Sequence, residues 1–203
     1  MAPVLRRPGP DEAPAAAALI LEAVPSLARI LGDRPTAVRA AEAAFRADRT
    51  ELSHRFGLAA EEDGTTAGLA IAFPGRWFGS FKLGTGVAFA RAAGARHVSD
   101  LVARGRILDR LIPAPGKDVL YLSILAVDES HRGRGIATAL LERVVAGAHH
   151  LGLRVCLDVA LDNDGARRLY EGLGFRIASV RETSEVERRT IPVRGMARME
   201  RPS

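Results

Sequence analysis

The most legible chemistry of this chain lies in one octapeptide, His131-Arg132-Gly133-Arg134-Gly135-Ile136-Ala137-Thr138. It stands between an apolar run, Val119 to Val127, and an amphipathic helical pattern with Ile136, Leu140, Leu141, Val144 and Ala148 on one side. Glycines at such a junction let the backbone turn sharply without a Cβ clash. The helix that follows aims unpaired N–H groups and the positive end of its dipole at the turn, which suits a phosphate. Arg132 and Arg134 add charge and forked donors. A P-loop is excluded, because GxxxxGK(S/T) needs a lysine that this stretch lacks. The dinucleotide fingerprint GxGxxG fits Gly133 and Gly135, and Asp158 lies at the distance of a ribose-binding acid. Thr138, however, stands where the third glycine belongs.

Other reactive patterns are sparse. His54, His97, His131, His149 and His150 form no HExxH or other ligand spacing, so no metal site is expected. No GxSxG or Cys–His nucleophile pattern is present. Cys156 lies in an apolar run, where a thiol acts as a small hydrophobe.

The hexapeptide Arg132 to Ala137 satisfies a third phosphate-loop pattern, (R/Q)xxGx(G/A). Downstream, Asn163, Ala166, Leu169-Tyr170-Glu171 and Gly174-Phe175 satisfy NxxAxxLYxxxGF. With these two linked motifs the chain resembles the GNAT superfamily of N-acetyltransferases, in detail over residues 119 to 180. The resemblance implies that acetyl-CoA, as co-substrate, lies in a cleft between the strands Val119–Val127 and Val155–Leu161. It implies that backbone groups of Leu125, Ala126 and Val127 pair with the pantetheine arm, one amide polarising the thioester carbonyl as an oxyanion hole does. Backbone N–H groups of Arg132, Gly133, Arg134, Gly135, Ile136, Ala137 and Thr138 would hold the pyrophosphate, and Asn163 would bond the cofactor arm. Tyr170 becomes the candidate catalytic acid. The leaving thiolate has a parent thiol of pKa about 8.5, and a phenol within reach can protonate it, a gain of about 10²–10⁴-fold.

The general base stays open. Relatives often place a carboxylate on the strand before the loop; here Ser123 stands there, with no acid until Asp128. Ser123 through water, Tyr121, Glu22 and Glu42 all remain candidates. Strand alternation predicts Tyr121, Ser123 and Leu125 on one face. The activity implied is transfer of acetyl from acetyl-CoA to a primary amine, on a small molecule or peptide, by direct attack. The alternatives are a different acyl-CoA, or a catalytically silent acyl-CoA-binding sensor module. A homodimer is compatible with the resemblance, though no interface signature is visible.

The elements that must position these residues read as follows. Val4 to Arg7 is a first strand, and Asp11 caps a helix reaching Ile30 with an interruption at Pro25. Spacings after Thr36 fit a second helix to about Arg55. Asp63-Gly64 joins two strands, Leu58–Glu61 and Thr66–Ala72, as a hairpin. Residues 76–116 read as a helical insertion that begins as loop around Trp77-Phe78 and Leu83 to Gly86. It continues as helix over Val87–Ala93 and His97–Leu111, and it would cover the acceptor side. Val119–Val127 is a strand buried on both faces. A helix from Gly165 to Leu173 ends at a left-handed Gly174, with Phe175 folding back. Arg176–Val180 and Met196–Met199 close the sheet, joined by a charged segment. The fold class expected is α/β. A single GNAT-like domain spans 1–203, with helices on both faces of a mixed, mostly antiparallel sheet V-split at one parallel strand pair.

Composition narrows the classes further. At 203 residues, 47% of them hydrophobic, the chain can bury one sizeable core and is too apolar for a disordered one. The net charge of +5 comes from dispersed arginines, and aromatics are only 5%, so no nucleic-acid partner is expected. One cysteine precludes an internal disulfide, and no eighteen-residue apolar run suggests a membrane span. The apolar stretch Ala13 to Leu21 follows Asp11 and Glu12, unlike a secretory signal. The expected location is cytoplasmic.

Overall fold

A computed structural model describes residues 3–94 and 98–201. Seven strands form one sheet: β1 (Val4–Arg6), β2 (Gly57–Glu62), β3 (Thr65–Pro74), β4 (Val119–Val127), β5 (Arg154–Ala160), β6 (Arg176–Glu182) and β7 (Gly195–Arg201). Their order is β1-β2-β3-β4-β5-β7-β6, with β4–β5 parallel and every other neighbour antiparallel. The expected α/β class and the single parallel pair are therefore present.

Helices cover both faces. On one lie α1 (Ala13–Ala23), α2 (Leu27–Leu31) and α3 (Arg34–Arg46), packed with Leu69, Ile71, Ile124 and Ala126 of the sheet. On the other lie α6 (Ile136–His150) and α7 (Asp164–Gly172), packed over Ala70, Leu120, Leu122, Leu157 and Met199. Between β3 and β4 run α4 (Phe78–Ala93) and α5 (Val98–Leu111). Phe78 and Phe81 of α4 join Phe73, Val119, Tyr121 and Cys156 in a third cluster. A short α8 (Glu185–Thr190) stands in the segment before β7, where no helix is expected from sequence.

Several boundaries differ from expectation for physical reasons. Asp11 does not cap α1. The chain enters through a 3-10 turn at Pro10–Glu12, where Glu12 accepts the Gly9 N–H at 2.7 Å and is held by Arg6. The cap of α3 is Asp33, whose Oδ1 accepts the Thr36 N–H. That helix ends at Arg46, not near Arg55, because the segment after it makes its own bonds. Thr50 Oγ1 donates to Ala44 O, His54 Nδ1 lies 2.9 Å from Phe45 O, and Ser53 caps a second 3-10 turn. The glycine-rich stretch from Phe78 to Gly86 is helix rather than loop, since α4 packs along α3. The expected start of the next helix at His97 lies outside the described residues, and α5 is described from Val98.

Candidate active site

The parallel pairing of β4 and β5 extends over Val119↔Arg154, Leu120↔Val155, Tyr121↔Cys156 and Leu122↔Leu157. Beyond Leu122 the strands part: β4 continues beside β3 to Val127, and β5 continues beside β7 to Ala160. The edge of β4 that carries Leu125, Ala126 and Val127 thus has no strand partner on its β5 side. Where the strands part, β4 has a bulge. Ile71 pairs with Ile124 and Ala72 with Leu122, leaving Ser123 as the extra residue. A bulge shifts the phase of alternation. Leu125 and Val127 therefore join Leu120 and Leu122 over α6, while Tyr121, Ile124 and Ala126 face the other side. This corrects the expectation that Tyr121, Ser123 and Leu125 share a face.

Below the parting lies the glycine turn. Gly133 and Gly135 have φ of +77° and +81°, the left-handed region, and a Cβ on either would meet no protein atom within 4 Å. The need for glycine within this chain is thus conformational. Gly135 is the N-cap of α6, and no side chain caps that end. The first helical bond runs from the Ala139 N–H to Gly135 O, which leaves the N–H groups of Ile136, Ala137 and Thr138 without intrahelical partners. Ile136 is itself core: its side chain anchors the turn under β3 at 1% exposure. The two arginine side chains turn elsewhere. Arg132 bonds Glu22 of α1 at 2.9 Å and Val127 O, and Arg134 bonds Glu62 at 3.2 Å and Ser130 O.

Asn163 is exposed and caps α7, its Oδ1 accepting the Ala166 N–H at 3.1 Å. The far end of α7 is closed by a Schellman motif. Gly174, at φ +87°, donates to Glu171 O, and the Phe175 N–H donates to Tyr170 O at 3.0 Å. The Phe175 ring then lies 5.8 Å from that of Tyr170. Backbone and ring together fix Tyr170, which is 8% exposed. Burial alone pushes its phenol up to about 12, so it stays protonated at neutral pH. Its hydroxyl makes no hydrogen bond to another described residue.

On the opposite face, the side chain of Asp158 of β5 is 1% exposed and paired with Arg198 of β7, at 2.7 and 3.2 Å. The Tyr121 hydroxyl donates to the same carboxylate at 3.1 Å. Burial first, then the charges of Asp158 and Glu51, push the Tyr121 phenol well above its ordinary value. Asp158 is fully engaged here, unlike the exposed acid a ribose would need. Cys156, beside it, is buried and its thiol is pushed up to about 12 by burial, as a core residue should be.

The open base candidates are all occupied. Ser123 Oγ donates to Glu51 O at 2.6 Å, Tyr121 donates to Asp158, Glu22 pairs with Arg132, and Glu42 pairs with Arg46 at 2.9 Å. A residue missed in the sequence stands among them. Glu51, in the segment between α3 and β2, is partly buried, and burial pushes its carboxyl up to about 7 against the pull of Lys82 and Thr85. Extending α3 to Arg55 hid it as one more polar residue on a helix. The available signal was Ser53, a cap residue that starts a new turn.

Among the described residues, no group of three His, Cys, Asp or Glu is arranged for a metal ion, and no helix is long and apolar enough to cross a membrane. The chain is 40% identical over 65 residues to N-acetyltransferase 8F1 of Rattus norvegicus, a match covering 32% of this chain and only 29% of that relative. In fold it is similar to an N-acetyltransferase from Staphylococcus aureus Mu50, with a TM-score of 0.75 at 18% identity over 97% of this chain and 99% of that one. A second crystal structure, of an acetyltransferase, gives a TM-score of 0.71 at 22% identity over 98% of each chain. The family model described as Acetyltransferase (GNAT) family matches residues 24–175, the span from the end of α1 through the parted strands and the glycine turn to Phe175. The chain belongs to the GNAT acetyltransferase family.

Proposed function

We propose that this chain transfers an acetyl group from acetyl-CoA to a primary amine by direct attack. The parting of β4 and β5 after Leu122 and Leu157 carries this reading. The gap opens beside the unpaired N–H groups that start α6, so one extended thioester with a pyrophosphate could span both. Members of the family use acyl-CoA and an acceptor, and the curated relatives that match are named N-acetyltransferases. In this reading the β5-facing backbone of Leu125, Ala126 and Val127 binds the pantetheine arm. The N–H groups of Gly133, Arg134, Gly135, Ile136, Ala137 and Thr138 bind the pyrophosphate, whereas that of Arg132 is donated to Glu129 O at 3.4 Å. Asn163 keeps its amide N–H groups for the arm, because only its oxygen is spent on the cap. Helices α4 and α5 cover the acceptor side.

Tyr170 supplies the proton to the departing sulfur. The reading is supported by a phenol that burial keeps protonated and whose hydroxyl no described residue claims. Tyr170→Phe should leave acetyl-CoA affinity unchanged and lower kcat by about 10²–10⁴-fold. The assay follows release of the CoA thiol with a primary amine and confirms the acetylated amine by mass. An unchanged kcat would remove Tyr170 from the chemistry. Acetyl-CoA binding with no amine acetylated would favour a silent binding module.

A further inference from the structure

The acceptor-side face holds more carboxylates than its ion pairs consume. Asp158 is locked by Arg198 and Tyr121, and Asp109 of α5 is paired with Lys82 of α4 at 2.6 Å. Glu51 has no ion pair within 4.0 Å among the described residues: its backbone is bonded on both sides, and its carboxylate has only Thr85 within hydrogen-bond reach, with Lys82 nearby. We propose that Glu51 is the base that takes the proton from the acceptor ammonium, an inference that rests on the transfer reading above.

Three contacts, one from β4 and two from α4, fix its place. Ser123, the bulged residue just past the last β4–β5 pair, donates its hydroxyl to Glu51 O at 2.6 Å. Thr85 of α4 accepts the Glu51 N–H at 2.9 Å. Gly84 of α4 rests against the carbonyl of Arg49, so closely that a Cβ there would collide with it. Glu51 is therefore pinned at the point where the strands separate, on the face opposite α6 and α7. The charged and titratable groups around it are Lys82 from α4, Asp109 from α5 and Tyr121 from β4, with Asp158 of β5 and Arg198 of β7 linked through Tyr121. Glu51 as a residue is only half-buried, while its carboxyl is desolvated.

The protons balance. Glu51 takes one from the ammonium, which frees the nitrogen lone pair. That pair forms the C–N bond to the thioester carbon, and the C–S bond breaks with its electrons moving to sulfur. Tyr170 gives its proton to sulfur and recovers one from the nitrogen of the new amide. Glu51 releases its proton to solvent, so the net products are amide, CoA thiol and one proton. A base poised near neutrality suits this task, and the Glu51 carboxyl at about 7 supports the assignment.

The test is the pH profile of kcat/KM for wild type, Glu51→Gln and Glu51→Asp, with acetyl-CoA and a panel of an arylalkylamine, a polyamine and an unblocked peptide. Wild type should show a rising limb near pH 7, read with the arylalkylamine and the polyamine, because an alkylamine ionises at about 10 whereas a peptide α-amino group ionises at about 8. Glu51→Gln should lose that limb and about 10²–10⁴-fold in kcat/KM, while its acetyl-CoA thermal shift is unchanged. Glu51→Asp should keep the limb. A Glu51→Gln profile that matches wild type overturns the proposal and leaves the transfer reading standing. A wild type that binds acetyl-CoA yet acetylates none of the amines overturns both.

Discussion

Burial of the Glu51 carboxyl costs the folded chain stability. Burial pushes that carboxyl up to about 7 in the folded chain, from an ordinary value of about 4.3 in the unfolded one. Between those values the folded chain holds the extra proton, so stability falls as pH rises, and the full cost is present above about 7. Glu51→Gln removes that cost. The variant should gain about 1–3 kcal/mol at about pH 8 and nothing below about pH 4. Thermal unfolding at both pH values reads the difference. A loss at the higher pH would make the carboxylate a structural anchor instead. A polar group kept at the expense of stability fits a trade of stability for activity.

At the scale of elements, the glycine turn is held by how closely α6 approaches the sheet. A Cβ on Gly68 of β3 would meet Ile136 Cγ2 at 2.8 Å, Leu140 Cδ1 at 3.1 Å and Ala126 O at 3.2 Å. Gly68→Val should therefore cost about 1–3 kcal/mol by overpacking and weaken acetyl-CoA binding, because it pushes away the residue that starts α6. Urea unfolding and ligand titration check both effects, and an unaltered affinity would detach the turn from this contact. The linked motifs made α6, α7 and the turn legible in the sequence, since glycine positions and helix periodicity are local properties. The hairpin at Asp63-Gly64, with φ of +49° and +74°, was legible for the same reason. What escaped depends on partners distant in sequence. The bulge at Ser123 exists only against β3, α4 is helical where it lies along α3, and Glu51 acquires its environment from α4, α5 and β4 together. A single strand read by strict alternation cannot reveal such a phase shift.

At the scale of the molecule, the two faces of the sheet carry different groups. One face, under α6 and α7, carries the glycine turn, Asn163 and Tyr170; the other, under α1 to α5, carries Glu51, Tyr121 and the Asp158–Arg198 pair. The only described opening in the strand ladder that joins these faces is the parting of β4 and β5. An acyl donor from one side and an amine from the other would meet there. Thermal unfolding with and without acetyl-CoA tests this most directly, with NADH and ATP as controls. At about 100 times its dissociation constant, acetyl-CoA should add roughly 2.7 kcal/mol, or about 5–10 °C for a chain of this size. That shift is expected with acetyl-CoA alone. No shift, or an equal one with NADH or ATP, would contradict it.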